Sequence, residues 1–392
     1  MSTQAIAARR FPLIDSIRGI AALAVAGFHF YGQLDSGNEE SAPLWGRPLH
    51  TLLIHGDLGV YVFFALSGFV IACSLHAVRI NAGVVGRFAL KRSLRLDPAY
   101  WITIAITLLA FTVASDFGRL SSKGLFSIGD VLANMFYMNR LLHCRAVVSV
   151  GWTLCLEIQL YLVFILLEWA ACAVSGRAVR PSVRLLFFGV PTIWSLLVFA
   201  EIGPLGWTGV FVPYWFMYFL GVVTWWTLSG VVSARWLWCT VAASAMSAVY
   251  MASIEAGTAI ATVLAIYAAA RLNRLDNLLS GPVFQYFGRI SYSFYLIHAL
   301  VGNNLVRLLQ RVVLHWQGGE FNFGRGFTTD HISVNGLWSL LIFMVAMAAS
   351  VAAAHMLYKI VESPSHRLSR RIRLVPDPAP AKLPAPLETA VI

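Results

Sequence analysis

The sequence predicts an all-α integral membrane protein, a bundle of about ten transmembrane helices with both termini cytoplasmic. Three observations lead there. Of 392 residues, 58% are hydrophobic and only 12% charged, with a mean hydropathy of +0.72. A soluble domain has about 45–50% apolar and about 25% charged residues. Apolar runs near the ~20 residues that a crossing helix needs recur along the chain. Most of the 29 lysines and arginines fall in the connections that alternate crossing places on one side, as the positive-inside rule requires. In a soluble protein the net charge of +11 would suggest nucleic acid. Here no soluble basic domain exists to present it, so the charge reads as cytoplasmic loops.

The expected spans are 13–32, 53–75, 97–114, 151–173, 185–202, 209–229, 236–252, 255–270, 289–312 and 335–358. Residues 1–10 form a cytoplasmic N-terminal segment, 11–365 the membrane domain, and 366–392 a basic, then Pro/Ala-rich cytoplasmic tail. The early apolar segment is followed by no small-residue cleavage site, and its internal polar groups mark it as a retained helix. The polar connections 33–52, 115–150 and 313–334 fall on the outer side. No internal repeat of the transporter kind is visible. The five cysteines, Cys73, Cys144, Cys155, Cys172 and Cys239, show no C-x-x-C or Cys/His spacing, so no metal site is expected.

Polar residues inside the spans are the candidates for function, because charge in a bilayer is costly. In "FPLIDSIRGIAALAVAGFHF", Arg18 and His29 are eleven residues apart and share a helix face, about 16 Å apart along the axis. Asp15 lies on that face too. The face reads either as an anion-binding cation below a titratable base, or as a snorkelling arginine with a hydrogen-bonded histidine. In "FALKRSLRLDPAYW", Arg92 and Arg95 stand on the inner edge of the third span, with Pro98 expected in its first turn. Two guanidiniums suit a phosphate, and they also suit a topological anchor. In "VGWTLCLEIQLYLVF", Glu157 opens an inward-running span. Its expected depth matches that of His29, which would allow an orienter–base pair or a structural ion pair. Ser67-Gly68 in "GVYVFFALSGFVIACS" reads as a close-packing site. His298 in "FGRISYSFYLIHAL" reads as a hydrogen-bonded structural histidine.

Together these stretches resemble the acyltransferase 3 family of membrane acyltransferases, over about residues 11 to 365. The opening stretch is similar to the family's "LDGLRGIAALLVVLFH", with its Arg-x10-His pattern on Arg18 and His29. "VFFALSGFVI" resembles "LFFVLSGFLI" at Ser67 and Gly68. "KRSLRLDPAY" carries Arg92, Arg95, Pro98 and Tyr100. "GWTLCLEIQLYLVF" resembles "WSLSVEEQFYLLFP" at Trp152, Glu157, Gln159 and Tyr161. "GRISYSFYLIH" resembles "GRISYSLYLWH", ending at His298, and Glu362 and Pro364 match "ESP". There are departures: Ser16 stands for Gly, Ile158 for a second Glu, and Tyr61 for a frequent Asp.

The resemblance implies an O-acyltransferase with catalytic His29 and Glu157. Arg18, Arg92 and Arg95 would bind acyl-CoA, and Asp15, Ser67, Trp152, Gln159, Tyr161 and His298 would support them. The donor would be acyl-CoA, with acetyl-CoA the expected form, and no permanently bound cofactor is expected. The acceptor would be a hydroxyl of a cell-surface or exported carbohydrate such as lipopolysaccharide. The partners are then donor, acceptor and bilayer, with no nucleic acid, and the location a bacterial inner membrane. Two alternatives stay open: an acyltransferase acting on a small metabolite such as a macrolide, and a proton-coupled transporter relaying through His29, Glu157 and His298.

Overall fold

The computed structural model describes residues 11–35, 45–76, 78–116, 126–175, 179–204, 207, 209–317 and 336–374. The N-terminal segment 1–10 and the tail beyond 374 lie outside them. Among the described residues every regular element is helical. In chain order these are α1 (Pro12–Leu34), α2 (Arg47–Ile54), α3 (Gly59–Ser74), α4 (Ala82–Asp116), α5 (Ile128–Met135), α6 (Gly151–Ser175) and α7 (Pro181–Phe199). They continue with α8 (Trp215–Leu228), α9 (Ala234–Tyr250), α10 (Ile254–Arg271), α11 (Pro282–His298), α12 (Asn304–Trp316), α13 (Gly336–Leu357) and α14 (Ser363–Arg370). One 3-10 turn, Gly56–Leu58, leads into α3, and another, Val212–Tyr214, into α8. Single π-helical turns, Ala299–Asn303 and Tyr358–Glu362, follow α11 and α13.

Helices stand at all ten expected segments. Among the described residues, seven helical stretches are long and apolar enough to cross a membrane: α1, Arg47–Ser74, Ala82–Val113, α6, α7, α10 and Gly336–Arg370. The lipid-facing sides expose large apolar residues such as Leu109, Trp194 and Met344. That pattern fits a bilayer and not water. The core forms around α8, whose residues Trp215 to Trp226 are all buried. A helix apolar on every side belongs in the middle of a bundle.

Two backbone-to-backbone approaches set the geometry. A Cβ on Gly68 of α3 would strike the Tyr218 carbonyl of α8, and one on Gly221 of α8 would strike that of Ala65. A Cβ on Gly19 of α1 would meet the Gly288 nitrogen of α11 at 2.7 Å. Small residues at such crossings let helix axes come close where lipid offers no hydrophobic drive. Phe64 touches Tyr214 and His76 touches Trp225, so α3 and α8 run parallel. Phe11 meets Phe69 while Gly56 packs on Ala24, so α1 and α3 run antiparallel. Gly19 meets Gly288 and His29 meets His298, so α1 and α11 run parallel.

One helix start differs from expectation. Pro98 does not open the membrane helix; α4 begins at Ala82 and runs 35 residues through it. Side chains distant in sequence tie this stretch into the bundle. Tyr292 donates to the Leu96 carbonyl at 2.9 Å, and Tyr137 donates to Asp97 at 2.9 Å. Ser93 also bonds Asp97.

Gly288→Ala is expected to destabilise the protein by about 1–3 kcal/mol, because the added methyl meets backbone and cannot rotate away. Gly86→Ala, whose Cβ meets nothing within 4 Å, serves as the matched control and should be neutral or slightly stabilising. Thermal unfolding in one detergent compares the two.

Candidate active site

The α1–α11 contact builds the first half of the site. It brings the rings of His29 and His298 to 5.4 Å between centroids. His29 is half-buried and makes no hydrogen bond among the described residues. His298 is fully buried. Its Nδ1 faces the carbonyls of Tyr295 at 2.8 Å and Phe294 at 3.2 Å. A carbonyl only accepts, so Nδ1 carries the proton and Nε2 presents a bare lone pair. That Nε2 is buried with no partner. Buried polar atoms are nearly always bonded, so Nε2 is the open end of a ring whose other nitrogen is satisfied. His298 is hydrogen-bonded, as the sequence leads one to expect, but through Nδ1 alone.

The carboxylate beside His29 is Asp57, whose charge acts on the imidazole. The 3-10 turn of Asp57 lies against α1 because Gly56 leaves no side chain between it and Ala24 and Phe28. Sequence reasoning missed Asp57. A signal was available, since it stands four residues before Tyr61, where the resembling family often has Asp. One helical turn separates the two positions.

Glu157 stands elsewhere. Ser67 donates to its Oε1 at 2.8 Å, and Tyr161 donates to the same oxygen. Ser67 lies between Gly59, which packs on Ala21, and Phe69, which packs on Phe11. Glu157 therefore belongs to the Arg18 end of the bundle and not to the level of His29, correcting the expected depth. The reason is the segment before α6. Val147, Val148 and Val150 are buried, and Asn139 accepts from Cys155 at 2.7 Å. Helix α6 thus begins already inside the bundle.

Three guanidiniums form the other end. Arg95 lies in the field of Arg92, Arg18, Tyr161 and Glu362. Arg92 stacks on the Tyr161 ring at 4.8 Å, which joins this cluster to Glu157. Glu362, in the second π-turn, accepts from Ser293 Oγ at 2.5 Å and from its N–H at 3.2 Å. It is the carboxylate that faces both Arg18 and Arg95. None of Arg18, Arg92 and Arg95 makes a hydrogen bond or close ion pair among the described residues. Unused planar forks in a shared space suit phosphate.

The remaining expected residues scatter. Asp15 packs against α11 at Gly288. Gln159 clamps a loop, donating to the Gly209 carbonyl at 3.2 Å and accepting from the Phe211 N–H at 3.0 Å. Trp152 lies under the Arg140 guanidinium at 5.3 Å. Among the described residues no His/Cys/Asp/Glu group could hold a metal ion.

A polar column thus runs inside an apolar bundle, from an anion-seeking cluster to an imidazole pair. The apolar helices are those of a multi-pass membrane protein whose interior carries these polar groups. A family model described as an acyltransferase domain matches residues 11–359, and the chain belongs to that family, the acyltransferase 3 family. It is 26% identical to Acyltransferase MdmB of Streptomyces mycarofaciens, over 96% of this chain and 97% of that protein. It is also 26% identical to Nodulation protein 10 of Rhizobium leguminosarum bv. viciae, over 77% of this chain and 85% of that one. No solved structure matches. The protein is an acyltransferase, which displaces the transporter reading.

In a cysteine-free background, a pair of cysteines at positions 29 and 298 should be bridged by a short bifunctional reagent. The pair at 29 and 157 should not be. Efficient bridging of 29 to 157 would overturn the placement of Glu157.

Proposed function

We propose that the protein moves an acyl group, acetyl in the simplest case, from cytoplasmic acyl-CoA to a hydroxyl of a cell-surface or exported carbohydrate. In this reading the membrane is a bacterial plasma membrane and both termini are cytoplasmic, an orientation that the loop charges favour. The observation that carries this reading is the separation of two unsatisfied sites along one column: three unbonded guanidiniums at one end, an orphaned imidazole nitrogen at the other.

The donor phosphates bind Arg18, Arg92 and Arg95 at the cytoplasmic end. The flexible arm of the donor runs up the column for the ~16 Å between the Arg18 and His29 turns. Glu157, bonded by Ser67 and Tyr161, balances the charge of Arg92 at the neck of this path. The acceptor hydroxyl arrives at the histidine end. With substrates bound, His298 Nε2, able only to accept, would take the N–H of His29 and leave the other His29 nitrogen free for the hydroxyl. As the hydroxyl oxygen attacks the thioester carbonyl, its proton passes to His29. Asp57 steadies the imidazolium. The new C–O bond forms, the C–S bond breaks, and the thiolate leaves with the proton that His29 returns. A small-metabolite acceptor such as a macrolide would use the same site and differ only in the occupant of the histidine end.

Purified protein in liposomes, given labelled acetyl-CoA and either surface polysaccharide or macrolide, tests the reading. Label should pass to the polysaccharide; transfer to the macrolide alone would select the second acceptor class. His29→Ala should lower transfer by about 10²-fold or more, the range of a general base. Asp57→Asn should lower kcat while donor KM stays, and Arg92→Lys should raise donor KM because lysine lacks the fork. A His29→Ala variant with unaltered transfer would remove His29 from the chemistry.

A further inference from the structure

Helix α4 carries a ladder of cations, Arg87, Lys91 and Arg95, whose i, i+4 spacing places them on one face. Helix α14 packs along α4, and two contacts fix how. At one end of the ladder Arg95 faces Glu362, the residue just before α14. At the other, Arg87 Nε donates to the Leu374 carbonyl, shortly beyond α14, at 2.9 Å. The two helices are therefore antiparallel, and Lys91, in the middle of the ladder, lies against the body of α14. The charges that act on Lys91 are Arg92 and Arg95 of its own helix and Arg370 of α14. No carboxylate is among them. Lys91 is half-buried and Arg370 exposed, and neither makes a hydrogen bond or ion pair among the described residues.

Like charges one turn apart destabilise a helix, and a second helix that adds another cation increases the repulsion. Held together without a counter-charge, such groups suit an anion from solution. The charge balance says which one. Glu157 and Glu362 offset two of the three charges of Arg18, Arg92 and Arg95, which leaves too little for a whole donor. Acyl-CoA carries a diphosphate and, on its ribose, a separate phosphomonoester of about −1.5 to −2 charge. The order of groups agrees as well. From the thioester outward the donor presents its arm, then the diphosphate, then the ribose phosphate. From His29 the protein presents the column, then Arg92 and Arg95, then Lys91, which stands about 6 Å along α4 from Arg95. A compact ammonium and a planar guanidinium at an open rim suit a terminal phosphate.

We propose that Lys91 and Arg370 form a subsite for the ribose 3′-phosphate of the donor, separate from the arginines that take the diphosphate. The assignment rests on the acyl-CoA reading. It gives α14 a task that the transfer chemistry does not: with Arg370 at its rim, the site favours coenzyme A over a thioester that lacks the ribose phosphate.

The test compares acetyl-CoA with acetyl-(3′-dephospho)-CoA in purified protein, in detergent and in liposomes with and without phosphatidylglycerol. Surface polysaccharide and macrolide are both supplied as acceptors. In wild type the dephospho donor should have a KM about tenfold higher, the effect of one charge-assisted hydrogen bond. Lys91→Ala and Arg370→Ala should each raise KM for acetyl-CoA by a similar factor, while KM for the dephospho donor moves less than about twofold and kcat stays. The double variant should bring the two donors to one KM, and Lys91→Arg should keep most of the preference. If Lys91→Ala does not fold, Arg370→Ala, at an exposed position, and the wild-type comparison give the same reading. Equal KM for the two donors in wild type overturns the assignment and leaves the donor reading intact, as does an equal shift of both donors in the variants. Loss of stimulation by phosphatidylglycerol with donor KM unchanged would make the pair a lipid-headgroup contact and overturns it too. A wild-type protein that turns over neither donor refutes the donor reading itself.

Discussion

The backbone contact between Gly19 and Gly288 is the constraint on which the site depends. With no side chain between them, α1 and α11 lie against each other in one parallel register. That register places His29 beside His298. Nearer the start of the two helices it is locked by Gln285, which donates to Ser16 Oγ at 2.7 Å and to the Pro12 carbonyl at 2.8 Å. Ser16 in turn donates to the Leu279 carbonyl at 2.8 Å. The serine that replaces a family glycine is therefore part of the clamp. From α11 the constraint reaches the last π-turn, because Ser293 holds Glu362, and Glu362 faces Arg18 and Arg95. A single close approach thus fixes the imidazoles directly and the guanidiniums at one remove.

Each charged group of the polar column keeps bonding capacity unused. Glu157 is bonded by neutral hydroxyls, which leaves Arg92 to stack on Tyr161 and keep its N–H groups unused. Glu362 is bonded by Ser293 and approaches two arginines without a close ion pair to either. The guanidiniums are thereby tolerated in an apolar bundle yet remain hungry for an anion. At the opposite end, two backbone carbonyls fix the proton of His298 on Nδ1 and keep its other nitrogen open.

Much of this was legible in the sequence. Hydropathy located the ten long apolar segments, since apolar run length is a local property, but not the short α5 and α14. The eleven-residue spacing of Arg18 and His29 and the three-residue spacing of Arg92 and Arg95 are also local, and both describe what the helices present. The misplacements concern long-range facts. The depth of Glu157 depends on how the segment before α6 folds into the bundle, which no periodicity reports. Pro98 reads as a helix start because proline has no N–H to give; that α4 runs on through it depends on packing with residues distant in sequence, such as Tyr292 on the Leu96 carbonyl. The pairing of His298 with His29 needs the α1–α11 register. Asp57 was obscured because a 3-10 turn carries it, one turn away from where the family pattern directs attention.

The length of α4 has one more consequence. At 35 residues it is about 52 Å long, against about 30 Å of hydrocarbon. The part before Pro98, which carries Arg87, Lys91, Arg92 and Arg95, therefore runs at the depth of the lipid headgroups. Those headgroups are themselves phosphates, present at far higher local concentration than any soluble metabolite. Arg92 and Arg95 turn inward, Arg92 onto Tyr161 and Arg95 toward Arg18 and Glu362, where a phosphate tethered to two acyl chains cannot follow. The half-buried position of these arginines thus acts as a filter on molecular shape: a headgroup tethered to the bilayer is held off, whatever its charge.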